Sequence, residues 1–272
     1  MSKLGLIAGK GELPLEWAKA AQEKDFEIIA YQLMEAEDKN LESCVEQLRK
    51  VSLGQLDKLI KTLLNDGIRE IVIIGKIEKS LLYQDLTLDN RFKKLLAGLD
   101  NYSSDNISLA VIKELNNAGI DVLEQHIHLD KLVAEKGLLN SAKIDEKLFQ
   151  EMKYGLKLAR EIARLEIGQT VILKDNDVVA VEAIEGTDKT IQRAGKHAGE
   201  GILMAKASKP GQDYRFDTPT VGYNTLMNLI AVSAKALVLE AGSTFIINKD
   251  NFLKKAEENN LLVYAMSAED LE

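Results

Sequence analysis

The sequence predicts an α/β fold in two domains, because apolar strand-like runs alternate with amphipathic helical stretches along the whole chain. The chain has 272 residues, which is long for a single hydrophobic core. A polar stretch without clear periodicity lies between two such alternating regions. These observations predict an N-terminal Rossmann-like domain with a parallel sheet at 1–133, a linker at 134–145 and a C-terminal α/β domain at 146–272.

The first domain is predicted to begin with a strand, a glycine turn and a helix. Residues 3–8 are apolar and lead into Gly9-Lys10-Gly11, and Pro14 then opens a stretch with helical spacing. The same patterns predict further strands and helices, namely strands at 26–31, 70–74 and 120–123 and helices at 53–65, 88–99 and 105–117. Strands that alternate with helices in this way pair in parallel, with the helices covering the sheet.

The second domain continues the alternation to the end of the chain. It is predicted to start with a long helix through Leu165, followed by a hairpin of 170–173 and 178–184. A helix from 187 to 197 and a buried strand at 202–205 come next. The remaining predicted elements are helices at 225–236 and 251–259 and strands at 237–239, 245–247 and 261–265.

Composition excludes several classes of protein. A net charge of −8 argues against nucleic acid as a partner, because phosphate neutralisation needs a basic surface. The single Cys44 excludes an internal disulfide, and one cysteine with three histidines excludes a conventional structural zinc site. No apolar run is long enough for a secretory signal or a membrane span, so a cytoplasmic location is expected.

The glycine turn after the first strand is the first candidate binding site. Gly9 and Gly11 lack the third glycine of the dinucleotide fingerprint, so they form either a tight turn or an anion seat at a helix N-terminus. No acidic residue ends the second strand, which makes nicotinamide binding a minor hypothesis. Lys76 directly follows another predicted strand, at the sheet edge where ligands bind in open α/β folds.

A second group of candidates is the turn 185–188, Glu-Gly-Thr-Asp, which follows a predicted strand and opens a predicted helix. Thr187 or Asp188 is expected to cap that helix, which needs only one of them. Glu185 lies at the strand end before the cap, and Gly186 allows a ligand to approach the backbone closely, so Glu185 and Asp188 are also candidate metal ligands. Arg193 lies on the same helix in a basic stripe, which suits either a solvated face or one that faces phosphate.

The segment 201–222 has the highest density of candidate functional groups. It holds Pro210 and Pro219, two of the three prolines in the chain, which disfavour a helix between them. An extended backbone is therefore predicted, with successive side chains on opposite faces. That geometry places Asp213, Arg215 and Asp217 in one row and Tyr214 and Phe216 behind it.

Two carboxylates in such a row suit Mg²⁺ or Mn²⁺, which prefer oxygen ligands and leave room for substrate phosphate and water. Asp213 and Asp217 are the candidate metal ligands, and Lys206 and Lys209 flank them with positive charge. The alternative is an ion pair on an exposed edge strand, which contributes little to stability.

The order and spacing of these motifs resemble the LpxI family of UDP-2,3-diacylglucosamine pyrophosphatases. The resemblance covers residues 4 to about 265 and is most specific in the segment 209–222. The motifs that carry it are Ile-Ala-Gly-Lys-Gly-Glu-Leu-Pro14, Ile-Gly-Lys76, Glu-Gly-Thr-Asp188, Lys-Pro-Gly-Gln-Asp-Tyr-Arg-Phe-Asp-Thr-Pro-Thr-Val-Gly222 and Glu-Ala-Gly242.

The resemblance implies a cytoplasmic enzyme of lipid A biosynthesis in Gram-negative bacteria, peripheral to the inner membrane. It implies hydrolysis of UDP-2,3-diacylglucosamine to 2,3-diacylglucosamine 1-phosphate (lipid X) and UMP with a divalent cation, usually Mg²⁺, and it suggests a homodimer. For this reaction Asp213, Asp217 and Arg215 are the expected catalytic residues. The expected substrate-binding residues are Gly9, Gly11, Lys76, Arg193, Lys206, Lys209 and Thr220.

Two other classes of protein remain open at this point. One is a nucleotide-dependent oxidoreductase, and the other is a non-catalytic protein that binds a nucleotide sugar or a lipid. Release of UMP from the diacylated nucleotide sugar separates the proposed hydrolase from both, because neither alternative breaks the pyrophosphate.

Overall fold

The computed structural model describes residues 2–33, 40–52, 54–76, 87–141 and 143–271. The chain forms two compact units. The first contains Met1–Leu129 together with Asp213–Phe216, and the second contains Asp130–Gln212 and Asp217–Glu272. A segment of four residues therefore belongs to the first unit although its neighbours in sequence belong to the second.

The first unit contains a parallel sheet with helices, as predicted. Its strands run in the order β3-β2-β1-β4-β5, all parallel. The strands are β1 (Lys3–Ala8), β2 (Glu27–Leu33), β3 (Gln47–Val51), β4 (Glu70–Ile74) and β5 (Asp121–Leu123). The helices are α1 (Leu13–Gln22), α2 (Leu56–Asn65), α3 (Asn90–Ala97) and α4 (Ser104–Asn117), with a 3₁₀ turn at Leu41–Cys44.

The order of these strands sets the position of a binding edge. The chain builds β2 and β3 on one side of β1 and then β4 and β5 on the other. The connections that leave the carboxyl ends of β1 and β4 therefore diverge, and ligands bind at such a point in open α/β sheets. Gly9 and Gly75 follow these two strand ends directly.

The second unit contains a mixed sheet in the order β6-β13-β11-β9-β7-β8, and a separate two-stranded parallel sheet pairs β10 with β12. The central strands β9, β11 and β13 are parallel, and the others join antiparallel. The strands are β6 (Gly137–Leu138), β7 (Thr170–Lys174), β8 (Asp177–Val181), β9 (Leu203–Lys206), β10 (Thr220–Val221), β11 (Ala236–Glu240), β12 (Phe245–Ile246) and β13 (Leu262–Met266).

Helices cover both faces of this larger sheet. They are α5 (Glu146–Arg164), α6 (Thr187–Ala198), α7 (Tyr223–Ala231) and α8 (Lys249–Glu258), with 3₁₀ turns at Asp130–Leu132 and Ala268–Leu271. Successive residues of β9 point to opposite faces of the sheet and join different hydrophobic cores. Leu203 belongs to the core with α5, whereas Met204 belongs to the core with α6, α7 and α8. Among the described residues, no helix is both long and apolar enough to cross a membrane.

Candidate functional site

Close backbone contact builds the strand-end loops of the first unit. The Gly9 N–H donates to the Ile74 carbonyl at 2.8 Å, and Lys10 and Lys76 exchange two backbone hydrogen bonds of 2.9 and 2.8 Å. A Cβ added to Gly9 would lie 2.7 Å from the carbonyl carbon of Gly75. Backbone atoms cannot give way as a flexible side chain can, so glycine is required here by the approach of the two loops.

These loops bring Gly9, Gly11 and Lys76 to one edge of the sheet, where they were predicted. Gly11 has a φ of +105°, which a residue with a side chain rarely adopts. Helix α1 starts just beyond it, and its N-cap residue Glu12 makes no side-chain cap hydrogen bond. The side chains of Lys10 and Lys76 are exposed at this edge. Two lysines beside a helix N-terminus give a positive environment that suits an anionic group.

The segment that contains Asp213, Arg215 and Asp217 is a turn, so the predicted extended row is wrong. Gly211 has a φ of +72°, which ends the extended backbone. The Asp213 carboxylate then accepts a hydrogen bond from the Arg215 backbone N–H at 3.0 Å, and this contact closes a local turn. Because the backbone is not extended here, the alternation of side chains on two faces does not apply to this segment.

Asp213 and Arg215 form an ion pair within the first unit. Arg215 donates from Nε and Nη2 to the Asp213 carboxylate at 2.9 and 2.6 Å, so both carboxylate oxygens accept hydrogen bonds. This hydrogen bonding raises the pKa of the Arg215 guanidinium. The two aromatic neighbours anchor the segment. Phe216 packs on the core of the first unit, and the ring of Tyr214 contacts that of His126 edge to face, with 4.6 Å between the ring centres.

Asp217 belongs to the second unit and has different partners. Its Oδ2 accepts hydrogen bonds from the side-chain amides of Gln212 at 2.9 Å and Gln169 at 3.2 Å. Its Oδ1 receives no hydrogen bond from any residue in the described part of the chain. Asp217 therefore combines a held orientation with one oxygen that is available to a ligand.

Lys206 ends β9 and is only 5% exposed. Its Nζ lies 3.1 Å from Thr187 Oγ1, 3.4 Å from Thr170 Oγ1 and 3.9 Å from Glu182 Oε2. The Thr187 hydroxyl in turn donates to Glu182 Oε1 at 2.9 Å. The ammonium group thus joins the start of β7 to the loop before α6.

Two of the four predicted metal ligands lie at the start of α6, Glu185 in the turn before the helix and Asp188 in its first turn, and each has a protein partner. Glu185 pairs with Arg193 at 2.7 Å, and its own backbone N–H together with this guanidinium lowers the pKa of the carboxyl. Asp188 accepts a hydrogen bond from Thr225 at 3.0 Å. The predicted side-chain cap is wrong, because Gly186 occupies the N-cap position and no side chain caps the helix.

The remaining predicted binding residues also lie in the second unit. The Nζ of Lys209 is 3.5 Å from Glu166, and the Thr220 hydroxyl donates to the Thr218 carbonyl at 2.9 Å. Glu240, at the end of β11, accepts two hydrogen bonds from Ser208 at 2.8 and 2.7 Å. Glu240 therefore fixes the chain just after Lys206, which is a structural role.

The four predicted metal ligands do not form a preassembled metal centre. In the part of the chain that the structure describes, no group of three or more His, Cys, Asp or Glu side chains could hold a metal ion. Asp213, Glu185 and Asp188 are each engaged by a protein donor. The donor set fits a cation only in the mode that Mg²⁺ adopts with phosphates, in which one carboxylate suffices beside substrate oxygens and water.

Two glutamines at Asp217 were assigned no role from the sequence. Gln212 lies inside the motif of the segment 209–222, where the aspartates and the arginine drew the chemical interpretation. Gln169 lies outside every motif and comes 48 positions before Asp217. A lone glutamine carries no charge and no spacing signal, so only the fold identifies this contact.

Comparison with known proteins adds the family. The sequence model of the LpxI N-terminal domain matches residues 3–132, and that of the LpxI C-terminal domain matches residues 135–264. A protein of Caulobacter vibrioides named UDP-2,3-diacylglucosamine pyrophosphatase LpxI is 27% identical over 281 aligned positions, which cover 99% of each chain.

Among solved structures, one match is the biotin carboxylase domain dimer of 2-oxoglutarate carboxylase from Hydrogenobacter thermophilus. It is 11% identical, with a TM-score of 0.28, over 72% of this chain and 42% of that chain. A TM-score of this size supports no statement about fold or function. The two domain models, in contrast, match nearly the whole chain in the expected order. The chain therefore belongs to the LpxI family.

Proposed function

We propose that this protein hydrolyses the pyrophosphate of UDP-2,3-diacylglucosamine in lipid A biosynthesis. The observation that carries the proposal is the match of both LpxI domain models, over residues 3–132 and 135–264. The relative from Caulobacter vibrioides, whose name states this activity, supports it over the full length of both chains.

The chemistry of the described residues supports a hydrolase. Cleavage of a pyrophosphate develops negative charge on the phosphate oxygens, which positive groups stabilise, and it needs a group that orients the attacking water. We assign the second task, or ligation of the cation, to Asp217, because its Oδ1 is available. Arg215 supplies a guanidinium that is held by Asp213 and stays charged.

The first unit supplies a positive strand-end loop. Gly9, Gly11 and Lys76 lie where open α/β sheets bind ligands, and the amides at the start of α1 favour an anion. We propose that this loop binds a phosphate of the nucleotide part of the substrate. Arg193, Lys209 and Thr220 remain proposed substrate contacts of the second unit, and Lys206 is proposed to act chiefly on the loop before α6, because it is buried.

We propose Mg²⁺ as the cofactor, with Mn²⁺ as a substitute. Both oxygens of Asp213 and of Glu185 accept hydrogen bonds from protein donors. Asp217 and Asp188 each keep one oxygen without such a donor in the described part of the chain, and we favour Asp217 because it lies in the segment 209–222, where the family resemblance is most specific. The cation would supply positive charge on the pyrophosphate oxygens when it is bound. Substrate phosphate oxygens and water would complete its ligand set beside Asp217, since no group of three ligating side chains is found in the described residues.

The proposed products are 2,3-diacylglucosamine 1-phosphate (lipid X) and UMP. Because the substrate carries two acyl chains, we further propose that the protein works at the cytoplasmic face of the inner membrane as a peripheral protein, and that it forms a homodimer. Flotation with anionic vesicles tests the first of these additions, and light scattering of the purified protein tests the second.

Release of UMP from UDP-2,3-diacylglucosamine tests the proposed reaction. We expect Mg²⁺-dependent release of UMP together with the phosphorylated diacyl sugar, both identified by mass spectrometry. Binding of the nucleotide sugar without UMP would instead indicate a binding protein. Stabilisation by NAD with no effect of the nucleotide sugar would indicate an oxidoreductase.

A further inference from the structure

We propose that Gln169 and Gln212 are positioning residues that hold the Asp217 carboxylate for the reaction. This inference rests on the proposed function, and within it on the role of Asp217. The two glutamines come from different elements: Gln169 immediately precedes β7, and Gln212 lies in the loop between β9 and β10. Both direct their side-chain amides to the same oxygen, Oδ2 of Asp217.

Gln212 clamps both the side chain and the backbone of Asp217. Its Nε2 lies 2.9 Å from Asp217 Oδ2 and 2.7 Å from the Asp217 carbonyl oxygen. Its Oε1 accepts the Lys209 backbone N–H at 3.3 Å. The amide orientation is therefore determined by its surroundings, because only the nitrogen end can donate to two oxygens. Gln212 is 8% exposed, so water competes little for these contacts.

Gln169 connects Asp217 to the sheet. Its backbone carbonyl accepts the Ala207 N–H at 3.0 Å, just beyond the last residue of β9, so its backbone continues the pairing of β7 with β9. Its side-chain Nε2 then reaches Asp217 Oδ2 at 3.2 Å. The position of the carboxylate is therefore fixed by a contact to the rigid sheet as well as by contacts within its own loop.

The partners are neutral, and this distinguishes Asp217 from Asp213. A guanidinium on both oxygens compensates the charge of Asp213. Two amides on one oxygen orient Asp217 without a compensating charge and leave Oδ1 for a water or a cation. Such an arrangement suits a group whose negative charge is used in the reaction, and it predicts that loss of a glutamine lowers kcat more than it raises KM.

The experiment compares Gln169→Leu and Gln212→Leu with a matched control, Gln192→Leu. Gln192 lies on α6 of the same unit and also donates its side-chain amide to a side-chain oxygen, that of Asn228, at 2.8 Å. We expect kcat for UMP release to fall about 10- to 100-fold in each of the first two variants, since small misplacements of reacting groups cost this much. KM should change less than about threefold, and the control should match the wild type.

Gln212→Glu separates the role of the amide from that of packing. It keeps the shape of the side chain but replaces the donor with a second carboxylate beside Asp217, so its kcat should lie below that of Gln212→Leu. A Gln212→Glu protein as active as the wild type would overturn the inference. An unchanged kcat in both leucine variants would also overturn it. The same holds if the decrease in kcat is fully explained by the fraction of the variant that is unfolded at the assay temperature, as measured in a thermal scan.

The same assay distinguishes the inference from the function on which it rests. If the wild-type protein releases no UMP, the proposed function and the positioning role are both wrong. If the wild type is active and Gln169→Leu and Gln212→Leu match it, only the positioning role is wrong.

Discussion

The two units use their strand ends differently. In the first unit, the loops after β1 and β4 are built from backbone contacts, in which Gly9 and Gly75 lie too close for a side chain. In the second unit, the region near the end of β9 and the start of β7 is built from hydrogen bonds between side chains. One set of these contacts surrounds Lys206, and another surrounds Asp217. A substitution in the first region therefore disturbs the backbone, whereas one in the second can change chemistry and leave the fold intact.

The largest effect is expected for Asp217→Asn in the second region. It removes the carboxylate with the available oxygen, so kcat should fall about 10³-fold, with a melting temperature close to that of the wild type. Asp213→Asn is the matched comparison and should lose less activity, because Asp213 acts through Arg215. Equal losses in the two variants, measured as UMP release, would contradict the assignment of Asp217 as the reacting carboxylate.

Removal of divalent cations should also act on chemistry and not on the fold. Treatment with EDTA is expected to reduce UMP release by about 10²-fold or more, since a cation contributes several kcal/mol to charge stabilisation on phosphates. Added Mg²⁺ or Mn²⁺ should restore the rate, and the melting temperature should stay the same throughout. An undiminished rate in EDTA would remove the cation from the proposal.

Gly9→Ala should show the opposite behaviour in the first region. The added Cβ meets backbone atoms of Gly75 and Lys76 at 2.7 to 2.9 Å, so the free energy of unfolding should fall by about 1–3 kcal/mol. In Gly11→Ala the added Cβ meets no atom, and the only cost is the positive φ at this position. Its free energy of unfolding should therefore fall by about 1 kcal/mol. Urea denaturation measures both, and a Gly9→Ala protein as stable as the wild type would contradict the close-contact explanation.

Lys206→Met tests whether the second region also contributes to stability. It would leave the buried Glu182 Oε2 without a cation, and such a loss costs about 1–3 kcal/mol. The control is Lys61→Met, which breaks an exposed pair with Asp57 and should leave stability nearly unchanged. If both variants unfold at the wild-type urea concentration, the buried ammonium is not a structural group.

The smallest effect is expected from Tyr31→Phe in the first unit. Burial and the hydrogen bond to Asp66, 2.7 Å long, raise the pKa of the Tyr31 phenol above its ordinary value. The unfolded chain loses this proton near pH 10 while the folded chain keeps it, so the Tyr31 contribution to stability is present below about pH 10 and decreases above it. The free energy of unfolding of Tyr31→Phe should be about 1 kcal/mol lower than that of the wild type at neutral pH.

The comparison of pH dependence checks this directly. Urea midpoints of the wild type and Tyr31→Phe, measured at pH 8 and above pH 10, should converge as the pH rises. A constant difference between the two proteins would contradict the raised pKa.

Sequence patterns predicted most elements of both sheets. The bounds 3–8 and 70–74 agree with β1 and β4, because a central parallel strand is buried on both faces and reads as a continuous apolar run. Strand β3 was not predicted, since it lies at the edge of its sheet and its side chains, Gln-Leu-Arg-Lys-Val, are largely polar. The hairpin between β7 and β8 was predicted, and Asp175 and Asn176 adopt the positive φ that its turn requires.

Local chemistry explains where the sequence interpretation was wrong. Period-two alternation applies only while the backbone stays extended, and Gly211 and the Asp213 carboxylate turn the chain instead. The helix cap before α6 was predicted from the residue types, but Thr187 and Asp188 use their side chains on Glu182 and Thr225. In both cases a polar side chain had more than one possible partner. A local contact to the Arg215 backbone decided the first case, and contacts to Glu182 and Thr225 decided the second.

The sequence by itself determined the alternation of strands and helices, the glycines at the strand ends and the order of motifs that identifies the family, because these depend on neighbours within a few residues. Only the tertiary structure decided which carboxylate is paired and which keeps an oxygen available. Asp213 meets its partner two residues away, whereas Asp217 meets Gln169 across 48 positions. A contact of that span depends on how β7 and β9 pair, and no local pattern contains that information.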